Sequence, residues 1–172
     1  MQTSFTDKQL LDKDNKTSET IIRKCVHCGM CNATCPTYGV NGEELEGPRG
    51  RIYLIKDMLE NKKPATKEIA KHIDSCLSCY SCMTTCPSGV NYMHLIDHGR
   101  NYVEETYKRP FLDRLFRNIL SFVLPRPKAF LLMAWSSKIV KPFSFLFPKF
   151  IRNALNLMPD KIPRKKLKEK KV

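Results

Sequence analysis

Two cysteine runs of identical spacing contain the residues in this chain that are best suited to chemistry. They are Cys25-x-x-Cys28-x-x-Cys31-x-x-x-Cys35-Pro36 and Cys76-x-x-Cys79-x-x-Cys82-x-x-x-Cys86-Pro87, and they use all eight cysteines of the sequence. Three thiolates at two-residue gaps can hold three corners of one iron–sulfur cube. A fourth cysteine three residues later, followed by proline, is typical of a ligand to a second cube. The runs therefore predict two [4Fe–4S] clusters.

The ligands of each cluster are expected to come from both runs, because the fourth cysteine in two-cluster ferredoxins ligates the other cluster. The first cluster is assigned to Cys25, Cys28, Cys31 and Cys86. The second cluster is assigned to Cys76, Cys79, Cys82 and Cys35. We expect no separate catalytic residue, so the cysteines are the whole candidate site.

Zinc and disulfide bonds are the two competing uses of these cysteines. Structural zinc prefers two separated C-x-x-C pairs and needs no third cysteine at this spacing. A disulfide framework is typical of oxidising compartments. No secretory signal peptide is recognised at the amino end, so a cytoplasmic location with free thiols is expected. Both alternatives are therefore less favoured than iron–sulfur clusters.

Size and composition allow one small domain with an appendage, at 172 residues with 42% hydrophobic and 27% charged content. The sequence contains no G-x-G-x-x-G, P-loop or G-x-S-x-G motif, so no substrate turnover is expected from this chain alone. The net charge is +13, and residues 111–172 hold fifteen of the 30 basic but three of the 17 acidic side chains. This basic third predicts an acidic partner surface.

The cysteine runs lie in an internal repeat. Ile22–Cys31 matches Ile73–Cys82 at a constant offset, and Thr34-Cys35-Pro36 matches Thr85-Cys86-Pro87 at the same offset. The repeat predicts a two-cluster ferredoxin-type domain over residues 21–109, with approximate two-fold symmetry. Residues 1–20 show no sustained period and are expected to be a mobile lead-in, with a short helix from about Thr20 leading to Cys25.

Helices are expected to position the two runs, which makes the fold class mainly α. Proline after Gly47 and apolar residues at helical spacing predict a helix over about 49–60. Thr66 is an expected N-cap for a helix through Ile73, and Asn91 for one that ends before Pro110. His94 and His98 lie one turn apart on that last helix. They suit a metal or quinone contact, but a polar helix face is favoured because no third ligand lies nearby.

Residues 110–160 form a proline-broken segment that is expected to dock the chain onto a partner. Its apolar stripe begins with Leu112, Leu115, Phe116, Ile119, Leu120 and Val123. Prolines interrupt the segment, which predicts three short amphipathic helices instead of a membrane span of about 20 apolar residues. Peripheral contact with a membrane and packing on the chain's own ferredoxin part remain alternatives. Residues 161–172 are a basic tail, and nucleic acid is not expected as a partner because no binding motif accompanies the charge.

Three segments of the sequence resemble the glycolate oxidase iron–sulfur subunit family. They are Arg23-Lys24-Cys25-Val26-His27-Cys28-Gly29-Met30-Cys31, Gly47-Pro48-Arg49-Gly50-Arg51-Ile52 and Thr85-Cys86-Pro87-Ser88-Gly89-Val90. The resemblance implies a subunit that relays electrons from a flavoprotein oxidising glycolate or a similar 2-hydroxy acid toward quinone or another acceptor.

That family continues into a half with two Cys-Cys-Gly repeats, whereas this chain contains no adjacent cysteines. The resemblance therefore implies that a separate polypeptide carries those repeats, or that they are absent. Two other functions remain open at this point. The chain could serve another flavoprotein dehydrogenase or a heterodisulfide-reductase-like complex, or it could be a free ferredoxin-like carrier.

Overall fold

The computed structural model of the chain describes residues 1–141 and 152–153, except for the side chains of residues 137–140. Over these residues the structure is helical and contains no β-strand, which confirms the mainly α fold class. The chain divides into two compact units, Met1–Lys108 and a second unit that begins at Arg109.

Seven α-helices and two short 3-10 helices build the first unit. In chain order they are α1 (Asp7–Leu10), α2 (Lys13–Lys24), a 3-10 helix (Met30–Thr34), α3 (Pro36–Asn41), a 3-10 helix (Glu44–Glu46), α4 (Pro48–Asn61), α5 (Lys67–Asp74), α6 (Ser81–Thr84) and α7 (Tyr92–Thr106). The apolar core joins α2, α4, α5 and α7, and its fully buried side chains include Ile22, Ile55, Met58, Ile73, Leu95, Ile96 and Val103.

The three helices expected around the core begin where their capping residues predict. Pro48 occupies the first turn of α4, where its missing N–H is not needed. The Thr66 hydroxyl accepts from the Ile69 N–H at 3.3 Å, and the Asn91 side-chain oxygen accepts from the His94 N–H at 3.4 Å. These side chains satisfy backbone donors that a helix start leaves unpaired. The predicted starts of α4, α5 and α7 are therefore confirmed.

Helices α4 and α7 pack closely at the centre of the unit. A Cβ atom on Gly99 of α7 would lie 2.8 Å from Cγ1 of Ile55 in α4, so a larger residue at position 99 would push the helices apart. Helix α4, which begins at the cysteine sites, is therefore packed directly against α7 in the core.

The expectation of a mobile lead-in over residues 1–20 differs from the structure. The Asp12 carboxylate caps α2 by accepting from the N–H groups of Asp14 and Asn15, so the helix begins at Lys13 and not near Thr20. Gln9 is buried, and its amide donates to the Leu59 carbonyl at 2.9 Å. Polar anchors therefore hold this segment on the domain.

The second unit contains α8 (Phe111–Val123) and α9 (Pro127–Val140). Helix α8 buries none of its residues, and Phe111 and Leu112 are each 76% exposed. The third amphipathic helix and the basic tail over 161–172, both expected from the sequence, lie outside the described residues. Among the described residues, no helix has the length and apolar content needed to cross a bilayer.

Candidate metal centre

Two cavities lie between the cysteine loops, and together they are lined by all eight cysteines. The first is lined by Cys25, Cys28, Cys31, Cys82 and Cys86. The second is lined by Cys35, Cys76, Cys79 and Cys82. Each cavity thus receives three cysteines of one run and the fourth cysteine of the other, and Cys82 of the second run lines the first cavity as well. Pro48, Cys82 and Tyr92 line both cavities, so the two sites share a wall.

The two cysteine loops share an unusual backbone conformation at matching positions. In the first loop His27 has φ 60° and Gly29 has φ 85°, while in the second loop Ser78 has φ 51° and Tyr80 has φ 56°. Left-handed residues in a turn can gather backbone N–H groups into a concave nest, which suits an electron-rich group such as an iron–sulfur cluster. The repeat seen in the sequence therefore extends to the conformation of both loops.

The environment of the thiols is one in which a bound metal would stabilise their thiolate form. All eight cysteines are free. Burial raises the pKa of Cys31, and so do the neighbouring thiols Cys25, Cys86 and Cys28. Burial, followed by nearby thiols, likewise raises the pKa of the Cys82 thiol to about 12. A cationic iron core would offset this penalty because thiolates are its natural ligands, so the donor set fits an iron–sulfur cluster.

Arg51, at the start of α4, is a buried cation that forms one wall of the second cavity. Its guanidinium donates to Oε2 of Glu46 at 2.9 Å, to the His72 carbonyl at 2.6 Å, and to the hydroxyls of Thr37 and Ser75. This network was not expected from the sequence. Its only signal was an arginine on the apolar side of a predicted helix.

Glu46 is already fully engaged in the same network. Its carboxylate accepts from Ser75 and contacts Nδ1 of His72 at 2.8 Å, in addition to Arg51. Burial alone would raise the pKa of Glu46, but the hydrogen bonds from Ser75 and His72 and the charge of Arg51 hold it below its ordinary value. Ligand atoms of Glu43, Glu46 and His72 lie within 4.8 Å of one another. We interpret this group as part of the ion-pair network, because the Glu46 carboxylate is already bonded to Arg51, Ser75 and His72.

A second arginine of α4 lies at the first cavity. Arg49 pairs with Glu44, and both side chains are partly exposed, at 31% and 43%. Gly29 lies so close to this arginine that a Cβ atom there would be 2.7 Å from Arg49 Nη1. The first turn of α4 therefore places one arginine against each cavity.

His94 and His98, which were considered as a contact site, line a separate surface cavity with Asp14, Asp97 and other polar residues. Their ring centroids are 6.2 Å apart. Nδ1 of His98 is hydrogen bonded to the Ser18 hydroxyl at 2.7 Å. This bond ties α7 to α2, which gives His98 a structural contact.

Comparison with known proteins adds to this geometry. Residues 21–90 match the family model of a 4Fe-4S dicluster domain. The glycolate oxidase iron-sulfur subunit of Escherichia coli (strain K12) is 47% identical over 143 residues, which is 83% of this chain and 35% of that protein. The probable glycolate oxidase iron-sulfur subunit of Bacillus subtilis (strain 168) is 31% identical over 117 residues, covering 65% of this chain and 26% of that protein.

A more distant similarity covers the cluster region alone. The succinate dehydrogenase iron-sulfur subunit of Paracoccus denitrificans is 30% identical over 76 residues, which is 41% of this chain and 29% of that protein. No solved structure matches the chain significantly. The chain spans about a third of the length of the Escherichia coli relative and about a quarter of the Bacillus subtilis one. Residues 21–90 therefore match a 4Fe-4S dicluster domain, which supports iron–sulfur clusters at these cysteines, in a chain similar to glycolate oxidase iron-sulfur subunits over most of its length.

Proposed function

We propose that the chain is the iron–sulfur electron-transfer subunit of a glycolate oxidase-type complex. In this role it relays electrons from a flavoprotein partner, which oxidises glycolate or a similar 2-hydroxy acid, toward quinone or another acceptor. Two [4Fe–4S] clusters, when bound, would supply two one-electron stations. The similarity to two glycolate oxidase iron-sulfur subunits supports this assignment.

The observation that carries the proposal is the arrangement of cysteines around the two cavities. Cys25, Cys28, Cys31 and Cys86 would hold the first cluster. Cys35, Cys76, Cys79 and Cys82 would hold the second cluster. Cys82 also touches the first cavity, but its neighbours Cys76 and Cys79 line only the second, so we assign it there.

Iron analysis of paired variants tests the ligand assignment. Anaerobically reconstituted chain should contain eight irons, four for each cube. Cys35→Ser should damage the cluster of Cys76, Cys79 and Cys82, and the matched variant Cys86→Ser should damage the other cluster. Spectroscopy of the surviving cluster distinguishes the two variants. Four or fewer irons in the unmutated chain, or a Cys35→Ser effect confined to the Cys25 cluster, would contradict the assignment.

The flavoprotein partner is tested by co-purification of the full chain from its native host. We expect a flavoprotein that reduces a dye in the presence of glycolate to co-purify with the chain. The flavin-free chain alone should show no glycolate-dependent dye reduction. The similarity to a succinate dehydrogenase iron-sulfur subunit favours a second candidate, a subunit that serves another dehydrogenase. Co-purification with a flavoprotein that does not oxidise a 2-hydroxy acid would support that candidate.

We assign the docking role to residues 110–160, with a cytoplasmic location. Helix α8 exposes more apolar surface than a free protein surface usually shows. The exposed side chains include Phe111, Leu112, Leu115, Phe116 and Phe122. Basic residues accompany them, so an apolar and acidic partner surface fits best, with an anionic membrane face as second choice. A separate polypeptide with Cys-Cys-Gly repeats is a further candidate partner.

A further inference from the structure

We propose that the cysteine set Cys35, Cys76, Cys79 and Cys82 holds its cluster at a higher reduction potential than the other set does, because Tyr92 donates a hydrogen bond to one of its sulfurs and Thr37 places a hydroxyl against another. This inference rests on the proposed function. Hydrogen bonds to cluster sulfurs and nearby positive charge raise the potential, since both stabilise the more negative reduced form.

Thr37 holds its hydroxyl within hydrogen-bond distance of Cys35. The Thr37 oxygen lies 3.2 Å from the Cys35 sulfur. Nη1 and Nη2 of Arg51 donate to the same oxygen at 3.2 and 3.1 Å, so both of its lone pairs are engaged. Its one proton is left for the Glu46 carbonyl, at 2.7 Å, or for the sulfur. A ligating sulfur has lost its own proton and can only accept, so Thr37 is the only possible donor in this contact, in competition with the nearer Glu46 carbonyl.

Tyr92 supplies a second hydroxyl to the same set. Its O–H donates to the Cys76 sulfur over 3.7 Å, and the residue is 3% exposed. Within the described part of the chain, this sulfur is the hydroxyl's only hydrogen-bond partner. A buried hydroxyl without a partner carries a desolvation penalty, so the contact with Cys76 is favoured.

In the described part of the chain, the first cysteine set has no counterpart of these donors, although the repeat offers the corresponding positions. Ser88 stands where Thr37 stands in the other run, but the structure records no hydrogen bond from Ser88 to Cys86 among the residues it describes. Gly42, which follows Asn41 as Tyr92 follows Asn91, has no side chain to donate. The asymmetry therefore arises from side chains within an otherwise repeated frame.

The charges near the two loops also favour a higher reduction potential for the cluster of the second cavity. Arg100 donates to the Cys76 carbonyl and to the Ser78 hydroxyl, each at 2.6 Å. At the first cavity the charge of Arg49 is offset by Glu44. The second loop thus has a cation hydrogen bonded directly to it.

Redox titration of the anaerobically reconstituted full chain, followed by electron paramagnetic resonance, tests the proposal. We expect two midpoint potentials. Tyr92→Phe should lower the higher one, so that the ratio of oxidised to reduced cluster at a fixed solution potential increases about threefold or more. Thr37→Val should lower the same midpoint, Thr37→Ser should restore it, and Ser88→Ala, the matched control in the other run, should move neither.

Iron and sulfide analysis of each protein precedes its titration. Unmutated chain that fails to take up eight irons would contradict the proposed function itself. In fully loaded protein, two equal midpoints, a fall of the lower midpoint, or no movement of the higher one would overturn the present inference. If Thr37→Val loses iron, Tyr92→Phe decides alone, because phenylalanine keeps the ring that lines the cavities.

Discussion

Two arginines on the first turn of α4 form a matched pair for a stability experiment. Each pairs with a glutamate five residues earlier in the chain, Arg49 with Glu44 and Arg51 with Glu46. We predict that Arg51→Gln destabilises the domain strongly, whereas Arg49→Gln has little effect. The two variants make the same chemical change two residues apart, so the comparison isolates the effect of burial.

The expected magnitudes follow from the exposure of the two pairs. The Arg51 and Glu46 side chains are 1% and 3% exposed, and removal of one partner leaves the other charge buried and uncompensated. Such a change costs about 3–5 kcal/mol. The Arg49 and Glu44 side chains are 31% and 43% exposed, and water replaces the lost contact. Pairs of this kind contribute about 0.2–1 kcal/mol.

Urea unfolding of the anaerobic, iron-loaded proteins measures the difference. Circular dichroism would report the helices, and visible absorbance would report the clusters. An unchanged slope of the unfolding free energy against urea concentration would show that the folded states are comparable. We expect the midpoint of Arg51→Gln to fall well below that of Arg49→Gln. Equal losses in the two variants would refute the assignment of Arg51 and Glu46 as a stabilising buried network.

Three further predictions follow from other parts of the structure. Burial lowers the pKa of His98 below its ordinary value of 6.5. The neutral imidazole therefore contributes stability above pH 6.5, and this contribution should be lost as the pH falls through the lower pKa of the folded state. His98→Asn should flatten this dependence of the unfolding free energy on pH. Gly29→Ala should cost at least about 1–2 kcal/mol, because the residue has φ +85° and its new Cβ would meet Arg49, whereas Gly39→Ala meets nothing and should be nearly neutral in the same urea assay. Removal of residues 109–172 should leave both clusters bound but abolish co-purification with the flavoprotein, and loss of iron from the shortened chain would contradict this.

Local signals made much of the fold predictable from the sequence. Pro48, Thr66 and Asn91 act through backbone groups within a few residues, so they locate helix starts without knowledge of the tertiary structure. The cysteine spacing was equally informative, because iron–sulfur ligation imposes strict distances along the chain.

The features that the sequence did not reveal depend on distant contacts or on unusual residue choices. Gln9 and Arg51 are polar, and their burial follows from partners far along the chain, which composition cannot indicate. The left-handed conformation is expected for Gly29 but not for its counterpart Tyr80, since a residue with a side chain seldom adopts it. The third helix expected beyond Val140 lies outside the described residues.

The shared wall between the two cavities bears on how such a domain could arise. One repeat alone would supply three cysteines to a cavity, and the fourth would have to come from a second copy. Two copies related by a two-fold axis would complete both cavities by exchanging one cysteine each, as in an isologous dimer. Covalent fusion of the copies replaces that encounter by an intramolecular one, at an effective concentration of about millimolar or higher. The tandem chain can therefore assemble both sites at any abundance in the cell.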